Sequence, residues 1–191
     1  MSPTRYVYIG VDPGFTGGIA SIEMIEGETV VSVWDMPTML VHDRPRIDRP
    51  AVVAVFKELI GPGTRLIAVV EAVGAMGGKD RKEGTSSMFR FGQGQGEVLG
   101  ILAGLGAVIF EVPPPVWKAR AGLIGADDRE VCKRCVDLGL CPRSTVFGPR
   151  GGPLHGRADA LLLAYHARQI GAHSEELRLC QRYYQTKEGK S

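Results

Sequence analysis

Short apolar runs separated by glycine turns open the chain. Residues 5–11 are rich in β-branched and aromatic side chains and predict a strand. Residues 16–25 predict a second strand after a glycine-rich turn, and residues 29–35 alternate well enough for a third. Two hairpins in succession predict an antiparallel meander.

Helices and strands are predicted to alternate after the meander. Residues 36–50 are polar and interrupted by prolines, so we expect a connection there, with Asp48 capping a helix that continues to Ile60. The elements predicted after this helix are a strand at 65–71, a long helix from the serines at 86–87 to about Leu105, a strand at 107–112, a short helix from Pro113 through Lys118, a helix capped by Asp127 or Asp128 that ends near Leu138, and a last helix at 157–170.

This order of elements predicts one α/β domain with a mixed five-stranded sheet flanked by helices. The first strand and the strand at 65–71 can be parallel neighbours in such a sheet. We expect the domain to cover residues 1–172 and a polar tail to cover residues 173–191. A chain of 191 residues is long enough to bury one complete core.

Composition and charge are those of an ordinary globular protein. Apolar residues make up 44% of the chain, and no apolar run approaches the ~20 residues that a membrane span needs. We therefore expect a cytoplasmic protein, in a bacterial cell or a phage-infected host, that is neither secreted nor in a membrane. The net charge is only +2, but residues 113–157 carry eight basic side chains against four acidic ones, which is compatible with contact to a polyanion.

The four cysteines suggest thiols more than a metal site. Cys132 and Cys135 form a C-x-x-C pair within a predicted helix, Cys141 follows six residues later, and Cys180 lies near the end. Zinc sites use close cysteine pairs, but no second C-x-x-C follows here. Reduced thiols are the favoured interpretation.

Three carboxylates are the candidate chemistry of this fold. Asp12 and Glu71 each end a predicted strand, and parallel strands deliver their last residues to one sheet edge. Asp159 lies in the first turn of the last helix, among apolar residues. Three carboxylates about 5 Å apart would repel by roughly 3 kcal/mol per pair, and Mg²⁺ with its oxygen preference would neutralise them. Taken singly, each acid is equally compatible with a turn, strand-end or helix-start role; the glycines at 14, 17 and 18 would leave room for phosphate and ions beside Asp12.

Several motifs in the chain resemble those of the RuvC-type Holliday junction resolvases, particularly the phage and organelle branch. The motifs are V-D-P-G-F-T-G-G at 11–18, V-V-E at 69–71, S-S-M-F-R-F-G-Q-G-Q-G at 86–96, P-P-P-V-W-K at 113–118 and H-G-R-A-D-A-L-L-L-A at 155–164. The resemblance implies a ribonuclease H-like fold and a homodimer that cuts four-way DNA junctions by symmetric paired nicks. It also implies Mg²⁺ as cofactor, two ions with Mn²⁺ as a substitute, bound by Asp12, Glu71 and Asp159.

Two further residues enter the site through the same resemblance. His155 lies four residues before Asp159, whereas relatives place an Asp or His three residues before, where Gly156 stands here. His155 could contact a metal, position a water, bind phosphate, or make only a local hydrogen bond. Lys118 resembles a family lysine near the scissile phosphate, and Trp117 is expected to serve packing.

DNA contacts are expected around the loop after Glu71 and the start of the next helix. Either Met88 or Phe89 could wedge at the junction centre, while Phe91 is expected in the core. The residues assigned to the DNA backbone are Lys79, Arg81, Lys82, Arg90 and Arg157.

A row of glycines at strict four-residue spacing follows in the same helix: Gly92, Gly96, Gly100 and Gly104. Each glycine inside a helix costs about 1 kcal/mol relative to alanine, so close approach of another backbone should offset the cost. The row is expected either at a homodimer interface, as the resemblance implies, or against the chain's own sheet.

Other functions remain compatible with these patterns. The D-x-G-x-T-G loop is also found in ATP-binding proteins of the actin and sugar-kinase superfamily, although their two lobes need more residues. A junction-binding protein without catalysis, or a nuclease of the same fold for other branched DNA or RNA, is also possible. The favoured interpretation, a metal-dependent junction nuclease, predicts no nucleotide cofactor.

Overall fold

The computed structural model describes residues 5–72 and 85–173, with the side chains of 85–88 and 172–173 left out of the description. Along these residues the elements are β1 (Arg5–Asp12), β2 (Gly18–Ile25), β3 (Glu28–Asp35), β4 (Thr38–Val41), β5 (Arg44–Ile47), α1 (Arg49–Glu58), β6 (Thr64–Glu71), α2 (Thr85–Gly104), β7 (Val108–Val112), α3 (Pro114–Ala121), α4 (Asp128–Asp137), α5 (Arg143–Val146) and α6 (His155–His173).

The central sheet has five strands in the order β3-β2-β1-β6-β7. The first three strands pair antiparallel, whereas β6 pairs parallel with both β1 and β7. The predicted meander, the mixed five-stranded sheet and the parallel contact between β1 and β6 are therefore confirmed. Val11 pairs with Val70, so Asp12 and Glu71 follow at the same edge of the sheet.

The stretch predicted as a connection, residues 36–50, contains a small hairpin instead. Strands β4 and β5 pair antiparallel, and Pro45 stands opposite Leu40. Both turn residues, His42 and Asp43, have positive φ angles of 49° and 57°, which match a tight hairpin turn. The sequence pattern failed here because the prolines argued against strands, yet proline is tolerated in a two-stranded edge ribbon.

Two hydrophobic cores cover the two faces of the sheet. Helices α1 and α2 supply Val52, Phe56, Val98 and Leu102 to one core. Helix α6 dominates the other core, where Trp117 of α3 and the two cysteines of α4 also pack. None of the helices in the described part of the chain is long and apolar enough to cross a membrane.

Helix α6 lies directly on β1 because of Gly10. A Cβ at Gly10 would fall 2.1 Å from the carbonyl oxygen of Ala160 and from the amide nitrogen of Ala164. Only glycine permits this approach of helix backbone to strand. The contact sets the distance from the start of α6 to the end of β1.

Two predicted helix caps are confirmed. The Asp48 carboxylate accepts a hydrogen bond from the Ala51 amide at 3.1 Å, and Asp127 forms a capping box with Glu130. Helix α2 begins at Thr85, so the serines at 86–87 lie inside it and not at its cap. The single-turn helix α5 was not predicted. Helix α6 begins at His155, two residues before the predicted start, and continues to His173. Residues 174–191 of the predicted tail lie outside the described residues.

Candidate active site

Three carboxylates lie within electrostatic reach of one another at one edge of the sheet. Asp12 ends β1, Glu71 ends β6, and Asp159 lies in the second turn of α6. Burial, followed by the negative charge of Asp12, raises the pKa of Asp159 to about 7; Glu71 contributes in the same direction, and Lys118 opposes the rise. Burial, followed by the charge of Asp12, also raises the pKa of Glu71. The fold therefore brings together three acids that are far apart in the chain.

Asp12 is held by the turn that follows it. Its side chain is buried, and its Oδ1 accepts a hydrogen bond from the Gly14 amide at 3.0 Å. Burial raises the pKa of Asp12, while this hydrogen bond and the charges of His155 and Lys118 lower it. The hydrogen bond restrains the carboxylate in one orientation.

The glycines around Asp12 serve close packing. A Cβ at Gly17 would lie 2.2 Å from the Asp12 carbonyl oxygen, and one at Gly18 would lie 2.8 Å from the Gly156 carbonyl oxygen. At Gly14 the nearest atom would be Asp12 Oδ1, at 3.2 Å. Protein atoms, and not space kept for a ligand, therefore account for these glycines.

Glu71 has a hydrogen-bond partner that sequence reasoning did not assign. The indole Nε1 of Trp117 donates to Glu71 Oε1 at 3.0 Å. Trp117 is 1% exposed, so its packing role coexists with an orienting role. A buried tryptophan usually needs an acceptor for its N–H. A carboxylate at the end of a strand was therefore the one feature of the sequence that could have indicated this hydrogen bond.

Lys118 lies close to all three carboxylates. Its positive charge lowers the pKa of Asp12, Glu71 and Asp159 alike. Its Nζ stands 5.2 Å from the centre of the Trp117 ring, a cation–π distance. The site therefore combines three acids with one cation at its margin.

His155 is the first residue of α6, and its charge acts on Asp12. The next position, Gly156, cannot carry a side chain, because a Cβ there would fall 2.1 Å from the Thr16 carbonyl oxygen. At the start of α6 it is therefore His155, and not position 156, that places a side chain near Asp12.

The three carboxylates affect one another's pKa but are not close enough together to coordinate one ion as they stand. Among the described residues, no three Asp, Glu, His or Cys side chains converge into a group that could hold an ion. Their pKa couplings still place Asp12, Glu71 and Asp159 in one electrostatic cluster. The donor chemistry fits a hard divalent cation, because all three offer carboxylate oxygens and repel one another without a counter-charge.

Of the side chains assigned to DNA, the structure describes Phe89, Arg90 and Arg157. Phe89 is 72% exposed near the start of α2, and Arg90 is half-buried. The residues Lys79, Arg81 and Lys82 lie outside the described residues, as does the side chain of Met88. A Cβ at Gly14 would lie 3.5 Å from the Phe91 ring, so that half-buried ring packs beside the turn after β1.

Arg157 makes a two-pronged ion pair. Its Nε and one terminal nitrogen each bond a separate oxygen of Asp35 at 2.6 Å. The bond lowers the pKa of Asp35 and raises the pKa of Arg157. This pair fastens the end of β3 to the first turn of α6.

The glycine row of α2 faces away from the chain's own sheet. A Cβ at any of the four positions would meet no atom within 4 Å among the described residues. Val98 and Leu102 on the other side of the helix are fully buried. The positions concerned are Gly92, Gly96, Gly100 and Gly104.

The described cysteines are free thiols away from any metal group. Cys132 and Cys135 are buried, and Cys141 is partly exposed. Burial raises the pKa of Cys132 to about 11, and the Cys135 thiol donates to the Ala158 carbonyl at 3.5 Å. They act as core residues between α4 and α6.

Comparison with solved structures identifies the fold. The structure of "T. thermophilus RuvC in complex with Holliday junction substrate" matches with a TM-score of 0.53 at 19% identity, over 87% of this chain and 94% of that one. "Thermus thermophilus RuvC structure" matches with a TM-score of 0.49 at 20% identity, over 85% and 96% of the two chains. No family model and no curated protein sequence matches the chain. The first likeness confirms the ribonuclease H-like fold.

Proposed function

We propose that this chain is a metal-dependent, structure-selective endonuclease that cuts four-way DNA junctions by paired, symmetric phosphodiester hydrolysis. The observation that carries the proposal is the cluster of Asp12, Glu71 and Asp159 at one sheet edge, with Lys118 beside it. The likeness of the fold to a RuvC described with a Holliday junction substrate supports the choice of substrate.

The three carboxylates would hold two Mg²⁺ ions, or Mn²⁺ in their place. When bound, such ions activate a water and stabilise the leaving oxygen of a phosphodiester. The Gly14 amide and the Trp117 indole each fix one oxygen of a carboxylate, so Asp12 and Glu71 keep their orientation before substrate arrives. Preorganised groups of this kind need no rearrangement during the reaction.

Lys118 and His155 act on the phosphate side of the proposed site. The Lys118 ammonium, near all three acids, would contact a non-bridging oxygen of the scissile phosphate. His155, at the start of α6 beside Asp12, would position the attacking water or a phosphate oxygen. Phe89, exposed on α2, is the described candidate for a wedge at the junction centre.

A labelled four-way junction with Mg²⁺ tests the proposal. Asp12→Asn removes one negatively charged metal ligand, so the ions bind less well and stabilise the transition state less. The cleavage rate should fall by more than about a hundred-fold. Asp137→Asn is the matched control, because Asp137 is exposed at the end of α4. Paired nicks by the wild type and the control, but not by Asp12→Asn, support the proposal.

The other outcomes identify the competing functions. Binding without cutting under Mg²⁺ and Mn²⁺ would indicate a non-catalytic junction-binding protein. Cleavage of flaps, replication forks or RNA in preference to the junction would indicate a nuclease of this fold with a different substrate. ATP turnover without nicking would favour the actin-like alternative.

A further inference from the structure

Two cavities outside the carboxylate cluster lie next to each other beside α5. The larger, of about 820 Å³, lies between β3, the segment after α4, and α6. The smaller, of about 620 Å³, lies between α5, the loop at 148–151 and the start of α6. Ser144 and Arg157 line both cavities, so the two are neighbours that share part of their wall; we call the pair the α5 groove.

The polar lining of the α5 groove is cationic. Its charged lining residues among the described ones are Arg143, Arg157 and Arg168, and none of its described lining residues is acidic. Asp35 pairs with Arg157 and offsets that charge, so the net positive charge comes from Arg143 and Arg168. Hydroxyl groups accompany them, on Thr29, Ser144, Thr145 and Tyr165. Arginine with hydroxyl donors is the side-chain set that binds phosphate oxygens along a nucleic-acid backbone.

Two of these arginines are held in place before any ligand binds. The Arg143 guanidinium stacks 4.0 Å from the centre of the buried Phe147 ring, and Arg129 approaches the same ring at 5.8 Å. Arg157 is held by Asp35. Less side-chain entropy is then lost on binding, which favours a built site over a merely charged surface.

The spacing of the arginines on α6 suits a helical polyanion. Arg157 and Arg168 are eleven residues apart in one helix, which places them about 20° apart around its axis and about 16 Å apart along it. That distance is the rise of about five base pairs of duplex at 3.4 Å per step. The two guanidiniums therefore face the same way over roughly half a turn of DNA.

The groove and the carboxylate cluster both include residues at the start of α6. Leu154 lines the smaller cavity and directly precedes His155. Arg157 and Asp159 are two residues apart, so they lie on opposite flanks of the same turn of α6. A nucleic-acid backbone would have to pass over the N-terminal end of α6 to reach from one flank to the other.

We propose that the α5 groove binds the sugar–phosphate backbone of the DNA duplex arm next to the phosphate that is cut. The proposal rests on the nuclease function proposed above and extends it to a second, non-catalytic contact. Arg143 and Arg168 hold phosphates at the two ends of the groove, while Arg157, whose nitrogens are bonded to Asp35 and to the Thr145 carbonyl, keeps the wall between them in place. Asp35 supports Arg157 from behind.

The test compares binding of a fluorescein-labelled four-way junction by anisotropy, in EDTA to prevent cutting, between 50 and 200 mM NaCl. Arg143→Gln combined with Arg168→Gln should weaken binding about ten-fold at 50 mM and reduce the slope of log K against log salt by about two. Arg49→Gln combined with Lys57→Gln is the charge-matched control, because both residues are exposed on α1 across the sheet. Hydroxyl-radical footprinting should show that the double variant loses protection of about five nucleotides in one arm.

Arg143 also packs on Phe147, so the double variant changes packing as well as charge. Arg168→Gln alone is therefore a second test. Its guanidinium makes a long contact of 4.0 Å to the Met24 sulfur, so the substitution should leave the fold intact and lower the slope by about one. Affinity within two-fold of wild type for both groove variants, or equal weakening by the α1 control pair, overturns the proposal. If the wild type still cuts the junction in that case, the nuclease function stands and only the groove fails; if the wild type binds no junction, the nuclease proposal falls first.

Discussion

Trp117 decides how Glu71 is presented to the site. Its indole donates to one carboxylate oxygen, and the ring also supports the Lys118 ammonium. One side chain therefore contacts both a carboxylate and the ammonium group of the proposed site. Sequence reasoning assigned Trp117 to packing, because a hydrogen bond across 46 residues depends on how α3 lies against the sheet.

Trp117→Phe keeps an aromatic ring but removes the N–H donor. The free energy of unfolding should fall by about 1–3 kcal/mol, since the half-buried Glu71 oxygen loses its partner. Urea denaturation in EDTA measures the change. A double-mutant cycle with Glu71→Ala, which removes the acceptor oxygen, should give a coupling of at least about 0.5 kcal/mol, and strict additivity of the two substitutions would contradict the bond.

At the scale of elements, the contact between α6 and β1 positions the site. Gly10 allows the helix backbone to touch the strand, and Gly156 allows the helix start to touch the turn after β1. Asp159 reaches the ends of β1 and β6 because these two close approaches exist. A slightly larger residue at either position would move the third carboxylate away.

Gly10→Ala tests this packing. The added Cβ would lie 2.1 Å from α6 backbone atoms, so the helix must shift, and the free energy of unfolding should fall by about 3 kcal/mol or more. Gly100→Ala is the matched control, because a Cβ there meets no described atom within 4 Å and alanine favours helix by about 1 kcal/mol. Chemical denaturation compares the two, and equal stability of Gly10→Ala and wild type would contradict the close contact.

At the scale of the whole molecule, the open glycine face of α2 favours a partner over the chain's own sheet. Four glycines in one helix are costly unless another backbone approaches them. The described residues place nothing against this face. We propose that a second copy of the chain does so, which would set two cutting sites for the two strands of a junction.

Gly96→Leu should disrupt this dimer. A leucine on the glycine face holds the two helices apart, so the mass measured by light scattering should fall from two chains to one at micromolar concentration. Gln169→Leu adds similar apolar surface at an exposed position of α6 and should leave the mass unchanged. A dimeric Gly96→Leu variant would remove α2 from the interface.

The sequence by itself determined the five strands of the main sheet, the parallel contact between the first strand and the strand at 64–71, and two of the helix caps. Val7 to Val11 and Leu66 to Val70 read as buried strands because period and β-branching are local properties, and Asp12 and Glu71 end them in plain view. Asp48 and Asp127 likewise mark helix starts through bonds to residues three positions away. The hairpin at 38–47 escaped detection because its prolines outweighed its apolar residues.

Only the tertiary structure decided which distant groups meet. The approach of Asp159 to Asp12 depends on glycines in two different elements, the bond from Trp117 to Glu71 depends on the placement of α3, and the α5 groove joins arginines from two helices. Each of these contacts is set by the packing of side chains between elements, which no local pattern encodes. The sequence showed which residue types could form a site, but the distances between those residues came only from the tertiary structure.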